Sequence, residues 1–506
     1  MKKTKSIFLT LSFILFATSG CLSVMEEDDL VYCDATHSPF GGGSGSISDP
    51  YLICSVTQLK QVSASLSSHY RLSRNLNLTG VSFSPIGSNS IGFSGTFNGN
   101  NLAISGWTYA ATSGSEPVAF IRRLEAGGII KNLTLSSISV TGEDSNDLVA
   151  GFVGVSEGSV DHVYLKNSTI SGKSTVGGII AEAKSNADLD SAFVIGSTIS
   201  SSANGASMRI ATDTNAVGGL VAIWKKDTTG SEEITASSVS DSVIVFDKDS
   251  AYQNRDARFV GGLIGYFNQG SLLNSTFAGT SVQGKFNVGG LVGFSSSTVT
   301  ECSASGTVQG VSRVGGAFGF LGSTAIRISA SGIVIAEIDA SADGQVGGLV
   351  GLLTGTISNS FFSGSINADE TVGGIAGLVS SGTVTNSYAF GTVTGNADPI
   401  GGAFGDLIDA VVSQVYVYQT SVSGGSSQAF VGQKSGSTVL SQCYFNQMSN
   451  SSSNGGTSIS APTDLSQYTG FSATNWRSPS IYAGRSALTP VLAWECNQNG
   501  VTCSTK

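Results

Sequence analysis

Between Val288 and Gly395 the chain writes one pattern of apolar and polar positions four times. The copies read VGGLVGFSSSTVTECSASGTVQG from Val288, VGGAFGFLGSTAIRISASGIV from Val314, VGGLVGLLTGTISNSFFSGSI from Val346 and VGGIAGLVSSGTVTNSYAFGTVTG from Val372. Each opens on an apolar residue and two glycines, runs through a short apolar stretch to another glycine, and turns through polar residues. It then closes on an alternating stretch. Period-two alternation over such short runs predicts half-buried strands. Recurrence at a near-constant period predicts an array rather than a set of separate domains.

The residue before each glycine pair registers the copies. Clear copies begin at Val176, Val217, Val260, Val288, Val314, Val346, Val372 and Ile400, and degenerate ones at Pro117, Val149 and Ser427. Regular spacings are 26 to 32 residues, against 41 and 43 for the turns opening at Val176 and Val217. A unit of about 27 residues with three short strand patterns predicts one coil of a parallel β-helix, with strands pairing from coil to coil. The fold class expected is therefore all-β: a β-solenoid of about eleven coils, roughly 50 Å long at ~4.8 Å per coil, with N-terminal and C-terminal caps. The paired glycines are expected at corners, where they permit positive φ.

The predicted array occupies residues 117–446, with insertions at about 182–258. Residues 40–116 read as an N-terminal cap and first coils, and 447–506 as a C-terminal cap. Within the first, Tyr51 to Cys54 and Tyr70 to Leu78 read as strands. Ser55 to Leu66 reads as a helix capped by Ser55, with Gln58 completing a capping box. Residues 1–20 have a basic head (Lys2, Lys3, Lys5) and an apolar run from Ile7 to Ala17. That run is too short to span a bilayer and reads as an export signal. Residues 21–39 then form a tether whose acids Glu26, Glu27, Asp28 and Asp29 make a solvated spacer.

Composition narrows the function. Only 12% of residues are charged and 66 are glycine, which excludes a disordered chain. The formal charge is -10, and it falls to -13 without the three lysines of the signal. Such a chain is a poor nucleic-acid ligand. In an exported protein the cysteines suggest two local bridges, Cys33 with Cys54 and Cys496 with Cys503. Cys302 and Cys443 lie about five coils apart, beyond disulfide reach.

Two resemblances add to this. VGGLVG followed by GTVTNSYAFGTVTG resembles the GLUG motif of exported bacterial proteins, among them filamentous-haemagglutinin-like adhesins and some surface peptidases. FGGGSGSISDPYLI, NLNLTG and GTFNGNNLAISG resemble the segment preceding such arrays. CYFNQ, Asn475-Trp476 and LTPVLAWE resemble the segment closing them. Thr18-Ser19-Gly20-Cys21 resembles the bacterial lipobox, departing from it at Thr18. That resemblance implies lipidation at Cys21, membrane attachment through the lipid and, with Leu22 following, an outer-membrane or cell-surface location.

Little in the chain points to chemistry. A polar position recurs about 13 or 14 residues after each marker, held by His162, Asn274, Glu301, Arg327, Asn359, Asn386, Gln414 and Gln442, with Ser191 and Asp241 in the longer coils. A position tolerating such different groups reads as a ladder at a bend, not a reaction centre. Cys302 and Cys443 follow it, where other coils carry Ser275, Ser360 and Ser387, and read as small buried filler. His37, His69 and His162 show no metal-ligand spacing. No catalytic residue, metal or cofactor is expected, and the chain is expected not to be an enzyme.

Charge concentrates in the insertions, with 18 charged residues in the 77 from Glu182 to Arg258 against 13 in the 187 from Val260 to Asn446. As loops on a rigid scaffold, Trp224, Lys225, Lys226, Asp247, Asp249, Tyr252 and Arg255 are the candidate ligand-binding residues. Lys184, Asp188, Asp190 and Arg258 stand in the same region. The expected partner is a surface protein or glycan of a host or neighbouring cell. The alternative is a carbohydrate-active enzyme, a polysaccharide lyase or glycosidase, on the same scaffold.

Overall fold

The computed structural model describes residues 33–111, 116–143, 148–202, 215–225, 233–246, 258–337, 344–446, 453–459, 468–472, 474–477, 479–481, 490–496 and 502–503. From Cys33 onward the chain forms one compact unit, built from parallel sheets of 27, eleven and nine strands. One coil shows the plan. Phe286–Gly289 belongs to the nine-stranded sheet and Val292–Ser295 to the eleven-stranded sheet, while Thr298–Thr300 and Ser303–Gly310 both belong to the large sheet.

The sequence markers form one column. Val176 pairs in register with Val217, and the series runs through Val260, Val288, Val314, Val346 and Val372 to Ile400. About twelve turns are stacked. The extra one comes from Ile86, which pairs with Ile121 ahead of the first marked coil but carries no glycine pair. Marker valines, with Ile179, Leu220, Leu263 and Leu291, are fully buried and fill one continuous core.

The paired glycines do a different job from the one expected. None has positive φ. They are required by close approach: a Cβ on Gly290 would fall 2.1 Å from the carbonyl oxygen of Gly316 in the next coil, and one on Gly289 would fall 2.1 Å from that of Val292. Left-handed backbone sits instead at the polar ladder. From Asn132 through His162, Ser191, Ala236, Asn274, Glu301, Arg327, Asn359, Asn386 and Gln414 to Gln442, eleven successive coils place this residue at φ of 45 to 56°. Ala236, not Asp241, holds this rung. The pairing of Asp190 with Thr235 and of Phe193 with Ser238 fixes that register. Asp241 belongs to a second row of bends with Ser137, Asn167 and Gly196.

The residue after each bend ties coils together. Ser237 Oγ donates to Thr235 O at 2.8 Å and accepts the Ala192 N–H of the coil before at 3.1 Å. Ser275, Ser360 and Ser387 repeat the arrangement. Cys302 and Cys443 occupy the same slot, each directing its Sγ to the carbonyl two residues back at 3.3 Å. They are free and buried, and burial pushes both thiols up to about 12. They stand in for serine and do more than fill space.

At the N-terminal end Cys33 and Cys54 form a disulfide, and Phe40 stacks on Tyr51 with ring centroids 4.3 Å apart. The expected long helix is shorter: Val56–Lys60 is α-helical and Gln61–Ala64 continues as a 3-10 turn. Ser55 caps it by accepting the Gln58 N–H. Gln58 Oε1 accepts from Cys54 rather than returning to Ser55, and its Nε2 donates to Asp34 O and His37 O. Gln58 thus spends its amide on holding the segment behind Cys33. The expected strand over Tyr70 to Leu78 is broken into Tyr70–Leu72 and Leu76–Asn77.

The other end is more than a lid. Thr457–Ile459 adds to the large sheet beside Tyr444–Asn446. Residues 468–472, 474–477 and 490–496 turn back along the flank, packing Tyr468, Phe471, Trp476 and Leu492 against Tyr388, Tyr416 and Tyr444.

Candidate functional site

The large sheet carries one outward column beside the left-handed row. In register it reads Tyr164, Phe193, Ser238, Thr276, Ser303, Ser329, Phe361, Tyr388, Tyr416 and Tyr444. Alternation in each strand turns these residues away from the core. Over these coils the first two and last four rungs are aromatic and those between hydroxylic, and the column continues as Thr134 on one side and Thr457 on the other.

The C-terminal segment covers the later aromatic stretch. Phe361, Tyr388 and Tyr416 stack at 4.9 and 5.1 Å. Trp476 donates its indole N–H to Asn386 Oδ1 at 3.2 Å, and Trp494 donates to Asn359 O at 2.8 Å. Tyr444 donates its hydroxyl to Thr469 O at 2.9 Å, while Tyr416 donates to Pro490 O and Gln414 Nε2 to Gly470 O. The segment thus reads both the rings and the adjoining left-handed row.

The earlier aromatic pair has different company. Tyr164 and Phe193 stack at 4.9 Å with rings 16° from parallel, and Lys166 Nζ lies 4.8 Å from the Tyr164 ring centre. On the same two strands stand Asp161, His162, Asp188 and Asp190, and Glu233 follows in register after Asp188 through the adjoining strand. His162 Nδ1 meets Asp161 Oδ1, and Asp190 accepts from Thr235 and Ser191. Asp161, His162 and Asp190 bring ligand atoms within 4.8 Å of one another, so among the described residues these are the ones arranged to hold a cation.

Partial burial, and after it the neighbouring Asp190, Asp161 and Glu233, raises the Asp188 carboxyl above its ordinary range. The side chain itself reaches solvent, so the three like charges are the firmer cause. No spacing rule in the sequence finds this cluster. His162 and Asp190 lie 28 positions apart and meet only because one coil is about that long.

Trp224, expected in an exposed ligand-binding loop, is buried instead. It is 1% exposed, lies in the strand Val221–Lys225, and packs in the core in register between Ala183 and Phe267. Its apolar bulk fits the interior, and only the next residue leaves the rod. Lys225 ends that strand with Nζ 5.8 Å from the Tyr266 ring centre. Asp188 and Asp190 lie on a strand rather than in a loop, and Arg258 is a buried strand residue. Lys226, Asp247, Asp249, Tyr252, Arg255 and Cys21 lie outside the described residues, as does the acidic spacer. Cys496 is disulfide-bonded; the side chain of Cys503 lies outside the described residues.

Residues 284–309 and 342–367 match the family model of the GLUG motif. The chain carries the GLUG motif. Each matched GLUG stretch spans one coil, running from the nine-stranded sheet to the end of the large-sheet strand. Halomucin of Haloquadratum walsbyi is 31% identical over 157 residues, 29% of this chain and 2% of that one. A protein of Evansella cellulosilytica named as a candidate Gly-rich membrane protein is 30% identical over 167 residues, 31% of this chain and 18% of that one. The aligned part of this chain therefore spans a small part of either relative. A solved structure from Bacteroides ovatus, described as a candidate immunoglobulin A1 protease, covers 91% of this chain and 97% of its own. It is 13% identical at a TM-score of 0.24, too low to argue from.

Proposed function

We propose that this GLUG β-solenoid is exported, anchored through lipid on Cys21, and displayed at the outer membrane or cell surface as an adhesin-like or structural envelope protein. The observation that carries this reading is the unbroken register from Val176 to Ile400. A core continuous over that many coils makes a stiff spacer, and the recurring polar groups are taken up by bends and coil-to-coil hydrogen bonds. Disulfides at Cys33, Cys54 and Cys496 fit an oxidising compartment. Presentation and binding, without turnover, is the mechanism such a rod supports.

Two experiments test it. Replacing Cys21 by alanine should release the protein from the membrane fraction, and retention would contradict the anchor. Replacing residues 247–257 by a glycine-serine linker of equal length, which leaves the strands Val243–Phe246 and Arg258–Gly261 in place, should weaken binding to cells or matrix while no glycan is turned over. The rival, a carbohydrate-active enzyme, is favoured by one observation: Asp161, Asp188 and Asp190 share a face. Turnover of an acidic polysaccharide that disappears in Asp190→Ala would establish the rival and sink the adhesin reading.

A further inference from the structure

We propose that the face carrying Tyr164, Phe193, Asp161, Asp188, Asp190 and Glu233 docks an extended peptide segment of a partner protein bearing both aromatic and basic side chains. This deepens the reading of the rod as a presenting surface by naming the partner's chemistry, and it rests on that reading.

The argument begins with an interface the molecule already contains. Three of the four later aromatic residues of the outward column are buried beneath an aromatic-rich peptide segment. That segment packs rings on the column and hydrogen-bonds to the adjoining left-handed residues at Asn359, Asn386 and Gln414. Tyr164 and Phe193 belong to the same column, next to His162 and Ser191 of the same left-handed row. They remain partly exposed. The column's geometry is thus repeated, and a ring stacked on a rigid neighbour offers contact area at low entropic cost.

Charge decides what distinguishes this second position. Four carboxylates lie on this face, against the two lysines Lys131, in register with Asp161, and Lys166 over Tyr164. Beside the later aromatic stretch the positions that match Asp161 and Asp190 carry Ser358, Thr385, Ser413 and Ser441 instead. A partner that places rings against Tyr164 and Phe193 therefore sets its flanking residues over Asp161, Asp188 and Asp190, where lysine or arginine is complementary and acids are rejected.

The test uses purified full-length chain and two synthetic decapeptides, one alternating tryptophan and lysine and one alternating alanine and lysine. The first should bind at least tenfold more tightly than the second. Its affinity should fall at least tenfold in Phe193→Ser and again in the pair Asp161→Asn, Asp190→Asn. Phe193→Ser is a fair test of the surface, because Ser238, Ser303 and Ser329 hold the same position in other coils; an unchanged urea midpoint checks that it folds. Equal affinity of wild type and Phe193→Ser would overturn the proposal by reducing binding to bulk charge. So would absence of binding at millimolar peptide, or binding of Zn2+ alone with none of the peptide. Because this assay needs no cell, its failure leaves surface display standing, and loss of display leaves the peptide result standing.

Discussion

Tyr388 donates its hydroxyl to Glu495 Oε2 at 2.8 Å, joining a rung of the rod to a residue 107 positions later. Both are buried, and Glu495 Oε1 also accepts the Leu492 N–H at 2.7 Å. The hydrogen bond therefore fastens the returning segment to the flank. Removing it in Tyr388→Phe costs ~1–3 kcal/mol of docking while the ring stack remains. Limited proteolysis should clip the C-terminal segment faster in this variant with the rod left intact. Trp476→Ala, which removes both ring packing and the bond to Asn386, should be clipped faster still.

Glycine and left-handed backbone occupy different places here, and two substitutions separate them. Gly290→Ala drives a methyl to 2.1 Å from the Gly316 carbonyl oxygen, and coils locked on both sides cannot move apart. A loss of more than about 3 kcal/mol is expected. Ala236→Gly acts in the opposite sense. Alanine there is held at φ 47°, and relief of that strain, less the entropy glycine adds to the unfolded chain, should gain about 0.5–1 kcal/mol. Urea midpoints of the two variants should move in opposite directions.

The slot after each bend makes Cys302→Ser nearly neutral, within about 0.5 kcal/mol, because serine already serves at Ser275 and Ser360. Cys302→Val should be worse, since valine cannot donate to Thr300 O. With both thiols pushed up to about 12 by burial, iodoacetamide at pH 8 should leave Cys302 and Cys443 unlabelled in the native protein and label both in urea.

Asp188 sets a pH dependence. Its folded carboxyl holds a proton above the ordinary value of 3.8, so between the two values the native state binds more protons than the unfolded chain, and stability falls as pH rises through that window. Above it the charged group opposes folding. Asp188→Asn should therefore unfold at higher urea than wild type at pH 7, with the two midpoints converging near pH 3.

Much of this architecture is legible in the chain because one side chain recurs at one place in every turn. Eight marker residues sufficed to place the register from Val176 to Ile400, and the unmarked coil at Ile86 falls in the stretch read as cap and first coils. The ladder from His162 to Gln442 was also legible as a set of bends. What the pattern misassigned was the task of the paired glycines: glycine in pairs suggests left-handed backbone, yet the pair is there because Gly290 and Gly316 approach backbone to backbone. Trp224 was misplaced since the residue at the end of an apolar strand looks, in one dimension, like the start of the charged insertion. The cluster of Asp161, His162 and Asp190 had no signal of its own, since stacking, not sequence proximity, assembles it. The returning segment was read as an end cap; the contacts of Trp476 and Glu495 with coils 90 and 107 positions earlier are invisible to any periodicity.

The central claim is that the rod stands on the outside of the cell. Protease added to intact cells measures this most directly, followed by blotting for the chain beside a periplasmic control. Loss of the full-length band while the control survives is the predicted result. Survival of the chain until the outer envelope is permeabilised would contradict the claim.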